Sequence, residues 1–268
     1  MKKLLTTILC TSALTLVGCS KHGGETPLDK MIKNISIDDY SAALVSHDTI
    51  AELLTDKSTP SVGPDNSKKS VVIFFDFGCG RCAEISKQID KLIDNNPHVN
   101  FIFKAYPSPK RDTKVSNYAS LVANEAYLQG GSELFMAYNH AIFQQSLTNG
   151  ELTIENVDNV VKHLGIKADQ NSLKNQAYKE ELKTKKLGKR IGIKGPHSVV
   201  ILPTDMVNMS AQELVRSASE IEVITDKHNK SSNLDNKKAA SSFAEQIQSI
   251  LNKGEELNFD SNTYSDSD

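Results

Sequence analysis

The sequence contains no tryptophan, few other aromatic residues and no excess of basic over acidic residues. Aromatic residues make up 6% of its 268 residues, and 31 basic residues against 33 acidic ones give a net charge of −2. Because nucleic-acid binding rests on basic side chains that neutralise phosphates, this balance argues against a DNA- or RNA-binding role. With 38% hydrophobic and 24% charged residues, the composition predicts a folded protein of one or two domains.

Long apolar runs are also missing. The one run that is apolar enough to enter a membrane, residues 4–17, is shorter than the ~20 residues that a spanning helix needs. Lys2 and Lys3 precede this run and Gly18 follows it, which is the pattern of a secretory signal peptide. We therefore predict that residues 1–18 are a cleaved signal, that the chain is exported, and that it has no permanent transmembrane helix.

The end of the signal resembles the lipobox of bacterial lipoproteins. The Leu-Val-Gly-Cys motif at residues 16–19 ends in a cysteine whose thiol, by this resemblance, is acylated and becomes the first residue of the mature chain. Cys19 would then carry the lipid anchor, and residues 19–57 would form a tether and a short N-terminal helical lead. Ser20, rather than an aspartate, after the lipidated cysteine favours the periplasmic side of the outer membrane in a Gram-negative cell. The alternative is an ordinary secretory signal with an incidental cysteine.

Cysteines are scarce, with four in the whole chain. Cys10 leaves with the signal and Cys19 carries the lipid, so the mature fold keeps Cys79 and Cys82 in a Cys-Gly-Arg-Cys motif. A β-branched and aromatic run precedes this pair, and apolar residues at helical spacing follow it. The pair is therefore predicted to lie where a strand ends and a helix begins.

A helix N-terminus favours a reactive thiolate, because its backbone N–H groups are unpaired and carry partial positive charge. Gly80 leaves these groups accessible, and Arg81 adds a permanent charge, although its side chain could equally be solvated. We expect Cys79 to be mostly thiolate at neutral pH and Cys82, one turn inside the helix, to stay protonated. Asp76 would either oppose the ionisation of Cys79 or cap the turn. This arrangement suits thiol–disulfide exchange.

Three other interpretations of the cysteine pair stay open. A zinc site needs about four ligands, and no His-x-His or His-x3-His pattern is present to complete the two thiolates. A structural disulfide would close a very small loop and gain little chain entropy. A copper-binding dithiol is credible because thiolates suit Cu(I), with His197 as a nearby ligand. The main expectation is a site with no metal and no cofactor.

The remaining chain alternates strands and helices around this motif. Residues 99–106 alternate as a second strand, so that strand, helix and strand predict a parallel βαβ unit. Residues 113–188 show helical spacing and predict an inserted helical subdomain. A further strand follows Gly195 and Pro196, where a cis X–Pro bond would turn backbone groups of Gly195 toward the cysteines. Four aromatic residues are expected in the core of the helical subdomain: Tyr127, Phe135, Tyr138 and Phe143.

Together these features resemble the DsbA-like thioredoxin-fold family of exported disulfide oxidoreductases over residues 58–203. The resemblance is carried by the helical insertion and by the segments at residues 74–82, 104–107 and 192–196. The lead at residues 59–69 is similar to that of the ScsC-like branch. The Cys-Gly-x-Cys form, with Asp76 three residues before it, resembles DsbC-type isomerases.

The resemblance implies an α/β protein, a thioredoxin fold with the inserted helical subdomain, over residues 58–225. A linker, a C-terminal helix and a polar acidic tail would follow over residues 226–268. By the same resemblance Cys79 is the attacking cysteine, Cys82 the resolving one and Pro196 the cis-proline beside them. The residues expected to bind the substrate are Gly195, Gly80 and Arg81.

The sequence departs from the family pattern at three places. Gly195 stands where the family usually has Thr or Val before the cis-proline, and the segment is one residue short. Ile73 occupies the position of the buried acid six residues before the first cysteine, so proton handling at Cys82 must rely on other groups. The strand pair that should follow the cis-proline is not recognisable in residues 203–210.

The predicted function is that of a periplasmic, lipid-anchored disulfide oxidase or isomerase. Its partners would be exported cysteine-containing proteins and a membrane redox partner. The alternative is a metal-binding or envelope-assembly module that keeps the fold without essential redox turnover. The lead carries an apolar stripe that would either form a homodimer or pack on its own domain: Ile37, Tyr40, Leu44, Ile50, Leu53 and Leu54.

Overall fold

The computed structural model describes residues 42–107, 113–149, 151–168, 177–226 and 233–260. Several features predicted from the sequence lie outside the described residues: the signal peptide, Cys19, the tether, the first part of the N-terminal helical lead, and the last residues of the acidic tail. None of the described helices is long and apolar enough to cross a membrane.

A five-stranded sheet forms the centre of the fold. Its strands are β1 (Ser61–Val62), β2 (Lys69–Phe75), β3 (Asn100–Ala105), β4 (Ser198–Pro203) and β5 (Glu222–Thr225). They lie in the order β1-β3-β2-β4-β5. β2 and β3 are parallel, and every other neighbouring pair is antiparallel. The predicted βαβ unit is therefore present at the centre of the sheet.

Helices cover both faces of this sheet in the described ranges. They are α1 (His47–Leu54), α2 (Gly80–Asn95), α3 (Thr113–Asn149), α4 (Ile154–Leu164), α5 (Tyr178–Ile191), α6 (Ala211–Arg216) and α7 (Asn233–Asp260). Helix α3 is kinked at Gly130 and Gly131, and Gly131 has a φ of 61°, which favours glycine. Helices α3, α4 and α5 confirm the predicted helical insertion, which continues to Ile191.

The alternation of β2 side chains divides the core into two layers. Val71, Ile73 and Phe75 face one layer, which α2, α3 and α7 cover. Val72 and Phe74 face the other, which α1, α5 and α6 cover. Three of the four aromatic residues expected in the core of the insertion are buried, and they pack in the first layer: Phe135, Tyr138 and Phe143.

The described part of the N-terminal lead packs on its own domain. Helix α1 begins at the N-cap Ser46, whose side chain accepts a hydrogen bond from the Thr49 N–H group. Leu44, Ile50 and Leu53 are buried in the second core layer. Since these side chains are covered by the domain itself, they do not form an exposed stripe for a second copy. Two members of the predicted stripe lie outside the described residues: Ile37 and Tyr40.

Two strands were not predicted from the sequence, the short β1 and β5. β5 is the one that lies near the cysteines. It pairs with β4, but residues 204–220 separate the two strands with two 3-10 turns and α6. After residues 227–232, which lie outside the described ranges, α7 packs along α2 and places Phe243, Ile247 and Leu251 in the core. The C-terminal helix is thus part of the same packed domain, whereas the sequence interpretation ended that domain at residue 225.

Candidate functional site

The cysteine pair lies where the prediction placed it, at the carboxyl end of β2 and the start of α2. Cys79 is the N-cap of α2, with extended backbone dihedrals, and Cys82 lies in its first turn. The Cys79 N–H group donates to the Asp76 carbonyl oxygen at 3.1 Å, and the Cys82 N–H group donates to the Cys79 carbonyl oxygen at 2.8 Å. Phe77 anchors the connecting loop, since its ring lies 5.8 Å from that of Tyr138.

Two side chains and burial determine the acidity of Cys79. A hydrogen bond from the Cys82 thiol is the strongest influence, followed by burial, which acts in the opposite direction, and by a hydrogen bond and positive charge from His197. Together they lower the pKa of Cys79 from 9.0 to about 3, although the residue is only 3% exposed. This matches the expectation of a thiolate at neutral pH, and the thiolate partners come from side chains as well as from the helix N-terminus.

His197 reaches Cys79 from the residue just before β4, the strand that pairs antiparallel with β2. Its Nε2 atom lies 3.2 Å from the Cys79 Sγ atom. With Cys79 as a thiolate, which can only accept, the Nε2–H group is the donor. The His197 N–H group donates to the Phe74 carbonyl oxygen at 2.8 Å, so the residue is fixed at the end of β2. The sequence suggested His197 only as a metal ligand and did not assign it to the thiolate.

The pKa of Cys82 is shifted in the opposite direction to that of Cys79. Burial raises its pKa well above 9.0, and the neighbouring charges of Cys79 and Asp76 raise it further. Asp76 is fully buried, and its Oδ1 atom accepts a hydrogen bond of 2.9 Å from the Gly78 N–H group, so its carboxylate caps the turn. The Asp76 N–H group donates to the Cys82 Sγ atom at 3.3 Å. Cys82 therefore stays protonated while Cys79 ionises.

Arg81 does not extend into solvent. Its guanidinium Nε atom forms an ion pair with the Asp226 carboxylate, and the two side chains are 11% and 5% exposed. Asp226 follows β5 directly, on a segment distant in sequence from the cysteines. The sequence analysis considered an Arg81 side chain that is solvated and one that acts on Cys79. It did not predict an ion pair with Asp226. No spacing rule connects the two residues, since only the pairing of β5 with β4 brings Asp226 to α2.

The other predicted site residues are Gly80, Gly195 and Pro196. Gly80 is exposed, and a Cβ atom added there would meet nothing within 4 Å, so its small size is not required by neighbours. The Gly195 carbonyl oxygen accepts a hydrogen bond of 3.0 Å from the Ser198 hydroxyl. No cis peptide bond occurs in the described residues, so the expectation of a cis Pro196 is wrong. The chain before β4 instead turns at His197, which has a φ of 71°.

Three soft or borderline donors meet at this site. One ligand atom from each of Cys79, Cys82 and His197 lies within 4.8 Å of the others. Two thiolates and an imidazole could hold a soft cation such as Cu(I). Zinc would require a fourth ligand, and within the described ranges no further His, Cys, Asp or Glu joins this group.

A small apolar cleft adjoins Cys82 between β2, α2, α3 and α7. Its lining includes Ile85, Phe143 and Phe243, together with Asn139. The Asn139 side chain is buried, and its Nδ2 group donates to the Ser86 hydroxyl at 3.3 Å. The apolar lining keeps water from Cys82, which explains why burial dominates the raised pKa of this thiol.

A second set of buried charges lies on the opposite face of the sheet. Lys104 on β3 is 2% exposed, and its Nζ group donates to the Thr59 hydroxyl at 2.9 Å. Burial lowers the pKa of Lys104 from 10.5 to about 8, while the charges of Asp56 and Glu180 act against this shift. Lys183 bridges the same two carboxylates, at 3.6 Å from Asp56 and 2.8 Å from Glu180. This cluster connects the N-terminal lead, the sheet and α5.

Comparison with known proteins identifies relatives of this arrangement. Residues 55–196 match the family model described as thioredoxin. The structure of BcfH from Salmonella enterica Typhimurium superposes with a TM-score of 0.56 at 24% identity, over 74% of this chain and 80% of that one. Proteus mirabilis ScsC in a transitional conformation gives a TM-score of 0.51 at 21% identity, over 65% of this chain and 80% of that one.

A third solved structure spans nearly the whole of its own chain. A periplasmic thioredoxin-like protein from Salmonella enterica serovar Typhimurium gives a TM-score of 0.50 at 19% identity, over 64% of this chain and 98% of that one. No curated protein matched the sequence. Identities this low establish a shared fold, and the predicted thioredoxin fold with a helical insertion is thereby confirmed.

Proposed function

The chain belongs to the thioredoxin family, and we propose that it is a thiol–disulfide oxidoreductase that works through Cys79 and Cys82. The observation that carries this proposal is the placement of Cys79 at the N-cap of α2 and of the buried Cys82 one helical turn further on, which gives the two thiols opposed acidity. A thiolate nucleophile and a protonated resolving thiol are the two groups that disulfide exchange needs. His197 adds a donor for the thiolate that a structural disulfide would not require.

The reaction consists of two exchanges at sulfur. The Cys79 thiolate attacks one sulfur of a substrate disulfide, a Cys79–substrate bond forms, and the other substrate sulfur leaves as a thiolate. Cys82 then loses its proton and attacks the Cys79 sulfur, which releases the second substrate thiolate and closes the Cys79–Cys82 disulfide. The substrate disulfide is reduced and the protein dithiol is oxidised. In the reverse direction a substrate dithiol is oxidised through the same mixed disulfide.

Trapping of the mixed disulfide tests this function. In a Cys82→Ala variant the intermediate cannot be resolved, so exported partner proteins should be recovered in complexes that dithiothreitol dissociates. The matched control is Cys79→Ala, which lacks the nucleophile and should trap nothing. Equal recovery from both variants, or none from either, would refute the enzymatic proposal.

The export signal and the lipobox-like motif support a periplasmic protein that Cys19 anchors to the outer membrane. Substrates would then be exported proteins with cysteines, and a membrane redox partner would restore the working redox state of the cysteine pair. Incorporation of labelled fatty acid into wild type but not into a Cys19→Ala variant tests the anchor, and fractionation of wild type tests the membrane. Recovery of wild type from the inner membrane would contradict the outer-membrane placement.

The direction of turnover, oxidase or isomerase, follows from the reduction potential of the Cys79–Cys82 pair. A stabilised thiolate favours the reduced form and makes the disulfide more oxidising. The acidity of Cys79 thus supports the oxidase. Self-association through the N-terminal lead, which would support isomerisation, would use residues before the buried Leu44, such as Ile37 and Tyr40. Sedimentation of the full-length protein with and without Ile37→Asp and Tyr40→Asp tests that alternative.

A second candidate function, capture of a soft metal ion, is favoured by the proximity of Cys79, Cys82 and His197. In that case the three residues would act as ligands and no partner protein would be trapped. Titration of the reduced protein with Cu(I) against a competing chelator measures this binding. Cellular function that survives Cys79→Ser with Cys82→Ser would instead favour an assembly role that needs neither metal nor redox chemistry.

A further inference from the structure

Asp226 connects three elements that surround the reactive thiol. It follows the last residue of β5, and its carboxylate pairs with Arg81 in the first turn of α2. Its N–H group donates to the His197 carbonyl oxygen at 3.1 Å. Asp226 thus joins α2, whose N-cap is Cys79, to the backbone of His197, whose ring contacts Cys79.

His197 needs such support because its backbone is unusual. Its φ of 71° lies in the left-handed region, which is rare for a residue other than glycine. Such a conformation persists when its surroundings hold it on several sides. The Phe74 carbonyl oxygen accepts its N–H group at 2.8 Å, and Asp226 holds its carbonyl oxygen. At the neighbouring position, the Ser198 hydroxyl lies 3.0 Å from that of Thr225.

The ion pair between Arg81 and Asp226 is almost completely buried. Its side chains are 11% and 5% exposed, so the attraction between them is weakly screened by solvent. Removal of one partner would leave the other charge buried without compensation. The pair therefore fastens the end of β5, and through it the His197 backbone, to the first turn of α2.

We propose that Arg81 and Asp226 are positioning residues that hold the His197 ring against the Cys79 sulfur. The inference rests on the proposed function and assigns the pair a role in disulfide exchange rather than in substrate binding. The His197 ring donates a hydrogen bond to sulfur only while Cys79 is a thiolate, so correct placement stabilises the reduced protein and not the disulfide. Loss of the pair should therefore make oxidation of the dithiol more favourable.

The test must separate positioning from a direct effect of charge, because several charged or titratable groups surround Cys79. They are Cys82, Arg81, Asp76, His197 and Asp226. The double substitution Arg81→Gln with Asp226→Asn removes one positive and one negative charge and leaves the net charge unchanged. The readout is the equilibrium constant for oxidation of the full-length dithiol protein by glutathione disulfide.

His197→Ala should increase this equilibrium constant about tenfold or more, the value of a hydrogen bond to a charged group. The double variant should increase it by at least about threefold, as part of the same bond is lost. In a protein that already carries His197→Ala, the double substitution should change the equilibrium constant by no more than about twofold. The reason is that the effects of substitutions that act through one group, here the imidazole, are not additive. Equal effects of the double substitution in both backgrounds would overturn the proposal, as would no effect in wild type.

Glu52→Gln with Arg190→Gln is the matched control, since it removes another ion pair, at 2.9 Å, which joins α1 to α5 and is more exposed. It should leave the constant unchanged. If the double variant does not fold, Arg81→Lys replaces it and should increase the constant at least about twofold, because lysine cannot reproduce the guanidinium contact. An unchanged constant in Arg81→Lys would then reject the proposal. The proposed function itself fails separately, if Cys82→Ala traps no partner.

Discussion

The Nε2 atom of His197 lies 3.2 Å from the Sγ atom of Cys79, although 118 residues separate them in the chain. The antiparallel pairing of β4 with β2 brings them together, since Ser198 is opposite Phe74 in that register. A helix N-terminus is a general source of thiolate stabilisation. The His197 imidazole is a source of thiolate stabilisation that is specific to this site, so His197 is the first residue to mutate.

His197→Ala should raise the pKa of Cys79 from its value of about 3. A hydrogen bond to a charged group contributes ~1.5–3 kcal/mol, which corresponds to a rise of about 1–2 in pKa. The Cys82 thiol would still donate to the thiolate, so the pKa should remain below the unperturbed 9.0. Thiolate absorbance in the ultraviolet, followed against pH in the reduced full-length protein, measures the midpoint.

The control for this variant is His163→Ala, which removes an exposed imidazole from α4 in the helical insertion. Its midpoint should equal that of wild type. A midpoint in His197→Ala that is equal to or below that of wild type would show that the imidazole does not stabilise the thiolate.

The low pKa of Cys79 also predicts how the stability of the reduced protein depends on pH. The folded pKa, about 3, is below the unfolded value of 9.0, so the unfolded state binds more protons between these values. This contribution to stability is fully present above pH 9 and is lost as pH falls through 3. The free energy of unfolding of the reduced protein, minus that of reduced Cys79→Ser, should therefore increase with pH over this range. A difference that does not change between pH 4 and pH 8 would contradict the assignment.

The sequence sufficed for features that local pattern determines. The strand before Cys79, the helix after Cys82 and the helical spacing of the insertion are all set by neighbours along the chain. The turn before β4 was misassigned because Pro196 suggested a cis bond, whereas the backbone turns at His197 in a left-handed conformation. Neither β-propensity nor motif spacing predicts a left-handed backbone conformation at His197.

The residues that the sequence could not assign depend on long-range pairing. Asp226 reaches Arg81 only because β5 lies beside β4. Residues 204–220 separate the two strands in the chain, so the sequence did not predict that they pair. Lys104 could not be identified as a buried charge, because its partners lie in the lead and in α5. Charged residues of this kind are ordinarily assigned to the surface, and only the fold shows which carboxylates face them.

Asp76→Asn should lower the pKa of Cys82. Burial remains the main reason that this pKa is high, but the buried carboxylate adds a negative charge that opposes ionisation of the thiol. Asparagine keeps the oxygen that accepts the Gly78 N–H group, so the turn should be retained. With thionitrobenzoate bound to Cys79 as a mixed disulfide, its release by Cys82 should become faster at neutral pH.

Asp94→Asn removes an exposed carboxylate from the same helix and serves as the control. The absorbance of released thionitrobenzoate gives the rate at each pH, and the midpoint of the profile reports on Cys82. A slower release in Asp76→Asn, with a midpoint equal to that of wild type, would instead identify the carboxylate as an aid to proton removal from Cys82.

Lys104→Ala should destabilise the fold by ~3–5 kcal/mol, because removal of one member of a buried charge cluster leaves its partners uncompensated. Lys183 bridges Asp56 and Glu180, but from a side chain that is 55% exposed, and it cannot replace the buried ammonium group. Urea unfolding at neutral pH measures the loss. Lys57→Ala, at an exposed lysine in the same region, should change stability by no more than about 0.5 kcal/mol.

The lowered pKa of Lys104 predicts that the stability of the fold rises under alkaline conditions. The folded pKa of Lys104, about 8, is below the unfolded value of 10.5, so between these values the unfolded state binds more protons. The free energy of unfolding should therefore increase from pH 8 to pH 10.5, since the cost of burying the charged form disappears as the folded lysine deprotonates. In Lys104→Met, which fills similar volume without a titrating group, this contribution should be absent. Equal slopes in wild type and Lys104→Met over this range would show that Lys104 is not the group responsible.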